Sequence, residues 1–378
     1  MILLFFCTVF IAAHVHLFYK ITDVFNFSTV ETFLLSLILL FLAASPLSIH
    51  FFARGKGNQS RKVTLISHMW VALLIIFFSS AVSLDIYNLL IKISAPLFSE
   101  AYASIILSPA QILFVSLSVS IIFTAYGFFD AKKIRTERLT VKTTKLPNGL
   151  NRIRILQISD LHLGIILGKE MLDKVIKIIE TEKPDLIVST GDMLNAEMDH
   201  IDHLSGELNA IRPSLGKYAV LGNHESYSGL KHADKYISDA GFRLLRGEGV
   251  TVKDVINIAG VDDPAIDAMK PDREKKMLKE SDMLSGFKTG LFTILLKHRP
   301  DIDKGSLGLF DLQLSGHTHK GQIFPVHFAI RTFYPYYAGY YKLAKGSALY
   351  TSRGTGTAGP PVRFLSPPEV TVIDIVNA

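Results

Sequence analysis

Cysteine is almost absent from the 378 residues: Cys7 stands alone, which rules out an intrachain disulfide and any cysteine-built metal site. Tryptophan is as scarce, with Trp70 the single copy, and the chain carries neither an internal repeat nor a low-complexity tract. Charge is sparse in the first part only. Up to Phe129 the sequence is dominated by Leu, Ile, Phe, Ser and Ala, whereas after Asp130 charged residues, Gly and Asp become common. No Lys or Arg precedes the first apolar run and no small-residue cleavage site follows it, so that run reads as an uncleaved helix rather than a signal peptide. The formal charge of +6 is small for this length and concentrates beside the apolar runs. That placement fits membrane topology and anionic headgroups, and it sets nucleic acid aside as a partner.

A bilayer core of about 30 Å takes about 20 apolar residues per helix, and the first half offers four such stretches. They are Ile2–Phe18, Thr32–Phe52, Val63–Leu84 and Ser104–Phe129. Arg54, Lys56, Arg61 and Lys62 crowd the loop between the second and third, and Lys132, Lys133, Arg135 and Arg138 follow the fourth. The intervening loops carry only Lys20 and Lys92. With four spans both basic groups fall on one side, so an integral, multi-pass protein is expected, with its amino terminus and soluble half in the cytoplasm. His14, His16, His50 and His68 lie in or beside the spans with no obvious acidic partner there, so anchoring is the expected role of this half. The predicted division is a transmembrane region over 1–130, a basic linker over 131–150 ending in the turn Pro147-Asn148-Gly149, and a soluble domain over 151–378.

In the soluble half, short β-rich runs alternate with amphipathic stretches. Strands are predicted at Ile153–Ile158, Leu186–Ser189, Tyr218–Leu221, Val255–Ala259, Phe292–Leu296, Leu312–Leu314 and Val370–Ile375. Helices are predicted at Lys169–Glu182 and near Ile201–Ile211, which makes an α/β layered pattern. The charged stretch Asp262–Ser285 reads as a solvated connection in preference to a surface helix bordering the site.

Five polar motifs sit where strands should end: Asp160-Leu-His162, Gly191-Asp192, Gly222-Asn223-His224-Glu225, Lys297-His298 and Gly316-His317-Thr318-His319. Ligands of open α/β sheets gather at the carboxyl ends of strands, so the five can converge on one crevice. Alternate residues of an extended chain project to one side, which lets Asp160 with His162, and His317 with His319, each present two donors. Carboxylate, imidazole and amide oxygen without thiolate suit an open Mn²⁺, Fe or Zn²⁺ site rather than a closed structural zinc. Each motif alone is weak, the Gly-His-Thr-His run less so than the others; the ordered set of five, each behind an apolar run, is what carries weight.

These motifs resemble the signature of the calcineurin-like metallophosphoesterases: Asp-x-His, Gly-Asp, Gly-Asn-His-Asp/Glu, His, then Gly-His-x-His. The resemblance covers essentially the whole soluble half. Lys320-Gly321-Gln322 and the tail with Ser352-Arg353-Gly354, Pro361, Arg363, Pro367, Pro368 and Glu369 look like the branch of small bacterial membrane-associated phosphodiesterases related to YaeI and YkuE. The chain departs from many relatives in having Lys320 where they have glycine, and in lacking a twin-arginine export signal. The resemblance implies a four-layer α/β/β/α sandwich behind the four membrane helices. It also implies two divalent metal ions, with manganese favoured. One would be held by Asp160, His162, Asp192 and His319, the other by Asp192, Asn223, His298 and His317. The pair would share a bridging hydroxide that attacks phosphorus, with His224 protonating the leaving oxygen or stabilising the transition state. The implied activity is hydrolysis of a phosphate ester, a diester or a pyrophosphate, and tethering suggests a lipid or lipid-linked nucleotide as substrate. Arg353 and Arg363 are candidates to grip a phosphate. The aromatic run Phe333–Tyr341 is either an apolar edge or ordinary hairpin packing. A regulatory metal-binding module with little activity remains the alternative.

Overall fold

A computed structural model describes residues 2–52, 58–94, 104–195, 201–269 and 279–378. It divides into two units: Met1–Asp130 with Ile323–Pro325 and Gly359–Leu365, and the remainder from Ala131 onward.

The first unit holds α1 (Ile2–Thr22), α2 (Thr29–Phe52), α3 (Asn58–Ser94) and α4 (Pro109–Asp130), all long and apolar enough to cross a membrane. Their mutual core includes Ala13, Leu17, Leu39, Leu74, Phe77 and Leu113, while Phe41, Ile66, Ile122 and Phe129 point outward. An apolar outside with no polar face is what a bilayer solvates. α3 runs ten residues past the predicted Leu84, which overturns the expectation that the span histidines lack an acidic partner. Asp85 lies on the added stretch, with His16 Nε2 at 3.3 Å and Lys20 paired to its other oxygen. Trp70 donates to His14 Nε2 at 3.1 Å, so it packs by a polar handle between helices. Arg54 and Lys56 of the predicted basic loop lie outside the described residues.

The second unit contains β1 (Arg135–Thr143), β2 (Arg152–Ile158), α5 (Lys169–Glu182), β3 (Leu186–Ser189), α6 (Ser205–Asn209), β4 (Lys217–Ala219), α7 (Asn223–Ser228), α8 (Leu230–Asp239) and β5 (Arg243–Leu244). It continues through β6 (Glu248–Val252), β7 (Ile256–Val261), α9 (Pro264–Met269), α10 (Glu280–Ser285), β8 (Phe292–Lys297), β9 (Leu312–Ser315), α11 (Val326–Phe333), β10 (Gly339–Lys342), β11 (Ala348–Thr351) and β12 (Glu369–Asn377). The strands form two six-stranded sheets, ordered β1-β12-β2-β3-β4-β5 and β10-β11-β9-β8-β7-β6. Side chains alternate across β2: Ile153 and Ile155 join Val188, Ile258, Ile294 and Ile373 between the sheets, while Leu156 and Ile158 face Leu172, Val175 and Ile237 of the helices outside. Leu284 of α10 covers Ala259 and Leu295 on the far side of the second sheet. The result is the α/β/β/α layering expected from the motifs.

Two stretches differ from their sequence reading. The 131–150 connector contains β1, which pairs in parallel with β12 from Arg135↔Glu369 to Thr143↔Asn377, although its Pro147–Leu150 turn forms as expected. The charged stretch from Asp262 includes two short helices, α9 and α10, with 270–278 outside the described residues. Strands β2, β3 and β4 run parallel in one sheet and β7, β8 and β9 in the other, so the carboxyl ends of five of them deliver the five motifs.

Candidate metal centre

All seven residues predicted as metal ligands come together. Asp160, His162 and His319 place donor atoms within 4.8 Å of one another, as do Asp192, His298 and His317. In the first group His319 Nε2 lies 3.1 Å from His162 Nε2 and 3.4 Å from Asp160 Oδ1. In the second, His298 Nε2 lies 3.1 Å from His317 Nδ1, 3.1 Å from Asn223 Oδ1 and 3.2 Å from Asp192 Oδ2. Asp192 Oδ2 is also 3.9 Å from His162 Nε2, so one carboxylate oxygen borders both groups.

The surroundings aim these lone pairs inward. His298 Nδ1 donates to the Thr190 carbonyl at 2.8 Å, which turns Nε2 toward its neighbours in the centre. Asp192 Oδ1 accepts from the His224 backbone N–H at 2.8 Å, which turns Oδ2 to the centre. His317 Nε2 is occupied by the Tyr334 hydroxyl at 2.9 Å. Five of the seven residues hold left-handed backbone: Asp160 (φ 52°), His162 (50°), Asp192 (51°), His317 (72°) and His319 (48°). Such strain costs about 1–3 kcal/mol per residue and persists where function requires it. Close approach fixes the glycines beside them. A Cβ on Gly222 would lie 2.2 Å from Asp192 Oδ1, and one on Gly316 would lie 2.1 Å from Asp160 Oδ2.

The donor chemistry fits divalent cations. Imidazole nitrogens 3.1 Å from each other, gathered with buried carboxylates, are the donor atoms that such cations take. Burial pushes the Asp160 carboxyl up to about 6, with the His298 charge opposing it. A bound cation supplies the missing positive charge and reverses that trend.

Three further residues shape the site, and none was assigned a role from sequence. Glu225 is fully buried and accepts from the backbone N–H groups of Gly222 (2.7 Å), Asp192 (3.0 Å) and Leu194 (3.1 Å). Its sequence signal was available: a glutamate three residues after the Gly222 N-cap is a capping-box position. Asn195 accepts from His224 Nδ1 at 3.0 Å, which leaves Nε2 of that ring for chemistry. Tyr334 comes from the aromatic run, whose later part, Gly339–Lys342, pairs antiparallel with β11 as ordinary hairpin packing. Neither Asn195 nor Tyr334 carries a local signal. Of the two candidate phosphate-gripping arginines, one is held by carboxylates and the other belongs to the first unit. Arg353 pairs with Glu369 at 2.7 Å and with Glu137, and Arg363 is fully buried in the first unit.

Comparison with known proteins follows the same lines. The calcineurin-like phosphoesterase family profile matches residues 153–321. An uncharacterized metallophosphoesterase of Aquifex aeolicus is 40% identical over 258 residues, which is 68% of this chain and 97% of that protein. The uncharacterized metallophosphoesterase YkuE of Bacillus subtilis is 34% identical, over 66% of this chain and 89% of its own length. A transmembrane protein with metallophosphoesterase domain from Danio rerio is 28% identical, over 70% of this chain and 62% of its own length.

Proposed function

The chain belongs to the calcineurin-like phosphoesterase family and is a hydrolase of phosphoric ester bonds, and from that premise we propose a membrane-anchored phosphodiesterase or pyrophosphatase working with two divalent ions. Asp160, His162, Asp192 and His319 would hold one ion, and Asp192, Asn223, His298 and His317 the other. When bound, the ions supply Lewis acidity, lowering the pKa of water and neutralising charge on the phosphoryl oxygens. The oxygen and imidazole donor set suits Mn²⁺ best, with Fe and Zn²⁺ as alternatives. His224 directs Nε2 to the same centre and serves as the proton donor to the leaving oxygen, its ring held by Asn195. The position of Asp192 Oδ2, 3.2 Å from His298 Nε2 and 3.9 Å from His162 Nε2, is the observation that supports the proposal.

Residues 1–130 act as the anchor, and the hydrolase begins at 131. Arg61, Lys62, Lys132 and Lys133 support a cytoplasmic placement of the hydrolase and of the amino terminus. Four apolar helices in the same chain support a lipid or lipid-linked nucleotide as substrate. The test is manganese-dependent hydrolysis of an aryl phosphodiester by the detergent-solubilised chain, beside Asp192→Asn and His224→Ala. Asp192→Asn should lose metal and activity together. His224→Ala should keep its metal and slow by about 10²- to 10⁴-fold, the range of general acid catalysis. A metal-loaded parent inert on diesters, monoesters and pyrophosphates would sink the proposal.

A further inference from the structure

Two short pieces of chain, Ile323–Pro325 and Gly359–Leu365, lie within the unit of membrane helices although their neighbours in sequence do not. Each is too short to register as a span. Ile323, Val362 and Phe364 share a buried apolar cluster with Ala72 and Ile76 of α3, bordered by Val119 of α4. Phe364 stacks on Phe123 of α4 with ring centroids 4.5 Å apart and meets Tyr126 edge-on. A Cβ on Gly127 would come 2.6 Å from Val362 Cγ1, so glycine permits this contact on α4.

Phe123 lies seven residues before the end of α4, about 10 Å along the helix axis at 1.5 Å per residue. At that level the flanking residues Ile121, Ile122 and Tyr126 face outward, the last about half exposed. Phe324, whose ring meets Phe364 edge-on at 6.3 Å, and Leu365, the next residue in the chain, are 38% and 57% exposed.

Irregular backbone survives at membrane depth only when its polar groups find partners. Here they do. Arg363 N–H donates to the Gly127 carbonyl at 2.9 Å, Val362 N–H to Pro360 at 2.7 Å, and Phe324 N–H to Phe364 at 3.1 Å. Pro325, Pro360 and Pro361 have no N–H to satisfy.

We propose that Ile323–Pro325 and Gly359–Leu365 form a lipid-inserted element that presents Phe324 and Leu365 to the acyl chains of the leaflet in which α4 ends. The occupant is lipid because the exposed face continues the outward face of α4 at the same level. The element does not depend on catalysis, but it rests on α4 spanning the bilayer. Ile323 follows His319 by four residues, so lipid insertion is covalently continuous with the His317–His319 loop.

The full chain, with Cys7→Ser to remove its single cysteine, is reconstituted into phosphatidylcholine vesicles. A fluorophore is placed in turn at Leu365→Cys, Phe324→Cys, Ile122→Cys and Tyr227→Cys. Nitroxide on the lipid acyl chains should quench the 365, 324 and 122 labels alike, while aqueous iodide should quench only the 227 label. Gly127→Leu should abolish lipid quenching at 365 and leave it intact at 122. A 365 label that behaves like the 227 label, or that is shielded from both quenchers by protein, overturns the proposal. A 122 label that escapes lipid quenching overturns the spanning of α4 and the proposal with it.

Discussion

The Glu225 carboxylate accepts the backbone N–H of Asp192 at 3.0 Å, and through that bond the loop after β4 holds the loop after β3. Its other oxygen takes Leu194, two residues further along, so the turn that offers Asp192 is pinned on both sides.

Replacing Glu225 by alanine leaves three N–H groups without this acceptor in a fully buried place. Each buried unsatisfied donor costs about 1–3 kcal/mol, and Asp192 loses the frame that aims it. Glu225→Ala should therefore lower the thermal midpoint and the bound metal together, measured by calorimetry and elemental analysis. Glu225→Gln keeps one acceptor oxygen and should fall between. A Glu225→Ala protein with full metal content and an unchanged midpoint would refute the clamp.

Asn195 fixes the His224 ring at 3.0 Å. Asn195→Ala should lower kcat by about 10- to 100-fold, the usual effect of an outer residue that orients a functional one. Metal content should stay at the parent level. Equal loss of metal and kcat would mean that Asn195 supports the centre generally rather than His224.

Tyr334 donates to or accepts from His317 Nε2 at 2.9 Å, on the side of the ring away from the other donors. Tyr334→Phe preserves the packing and removes the hydroxyl. Metal affinity should weaken by about 10- to 100-fold, read as the midpoint of a chelator titration, while the thermal midpoint of the metal-free protein stays nearly constant. An unchanged chelator midpoint would show that the hydroxyl does not tune His317.

The ligands were legible because their signal is local: a hydrophobic strand followed by alternating polar residues announces both the element and where its side chains point. Lys169–Glu182 was legible for a similar reason, its apolar residues recurring at helical spacing. What escaped depends on distant partners. β1 alternates Arg135, Glu137, Leu139 and Val141 with polar residues, as an edge strand can, but its partner β12 is more than two hundred residues away. Tyr334 and Asn195 meet their histidines only after the strands have been brought side by side. Asp85 escaped because hydropathy ended the third span one residue too early. The segment Gly359–Leu365 has the apolar residues of a packed loop and no length to suggest a membrane.

Lys217 gives a pH prediction away from the centre. Its ammonium group is buried, donates to the carbonyls of Leu208 and Ala240 at 2.6 Å each, and lies 5.2 Å from the Phe242 ring centroid. Those carbonyls belong to the ends of α6 and α8, where helix dipoles favour a cation. Desolvation works against the charge, helped by nearby Arg212, and brings the pKa down to about 8 from the ordinary 10.5. Between these values the unfolded chain binds a proton that the native one has released, so stability must rise with pH across that window. The slope from this one group is at most about 1.4 kcal/mol per pH unit. Lys217→Met cannot contribute it. Thermal midpoints of the detergent-solubilised parent and variant, compared from pH 7.5 to 10, should diverge in the parent's favour as pH rises through 8. Parallel curves would mean that the native ammonium group keeps its proton throughout, its two carbonyls and the aromatic face outweighing the cost of burial.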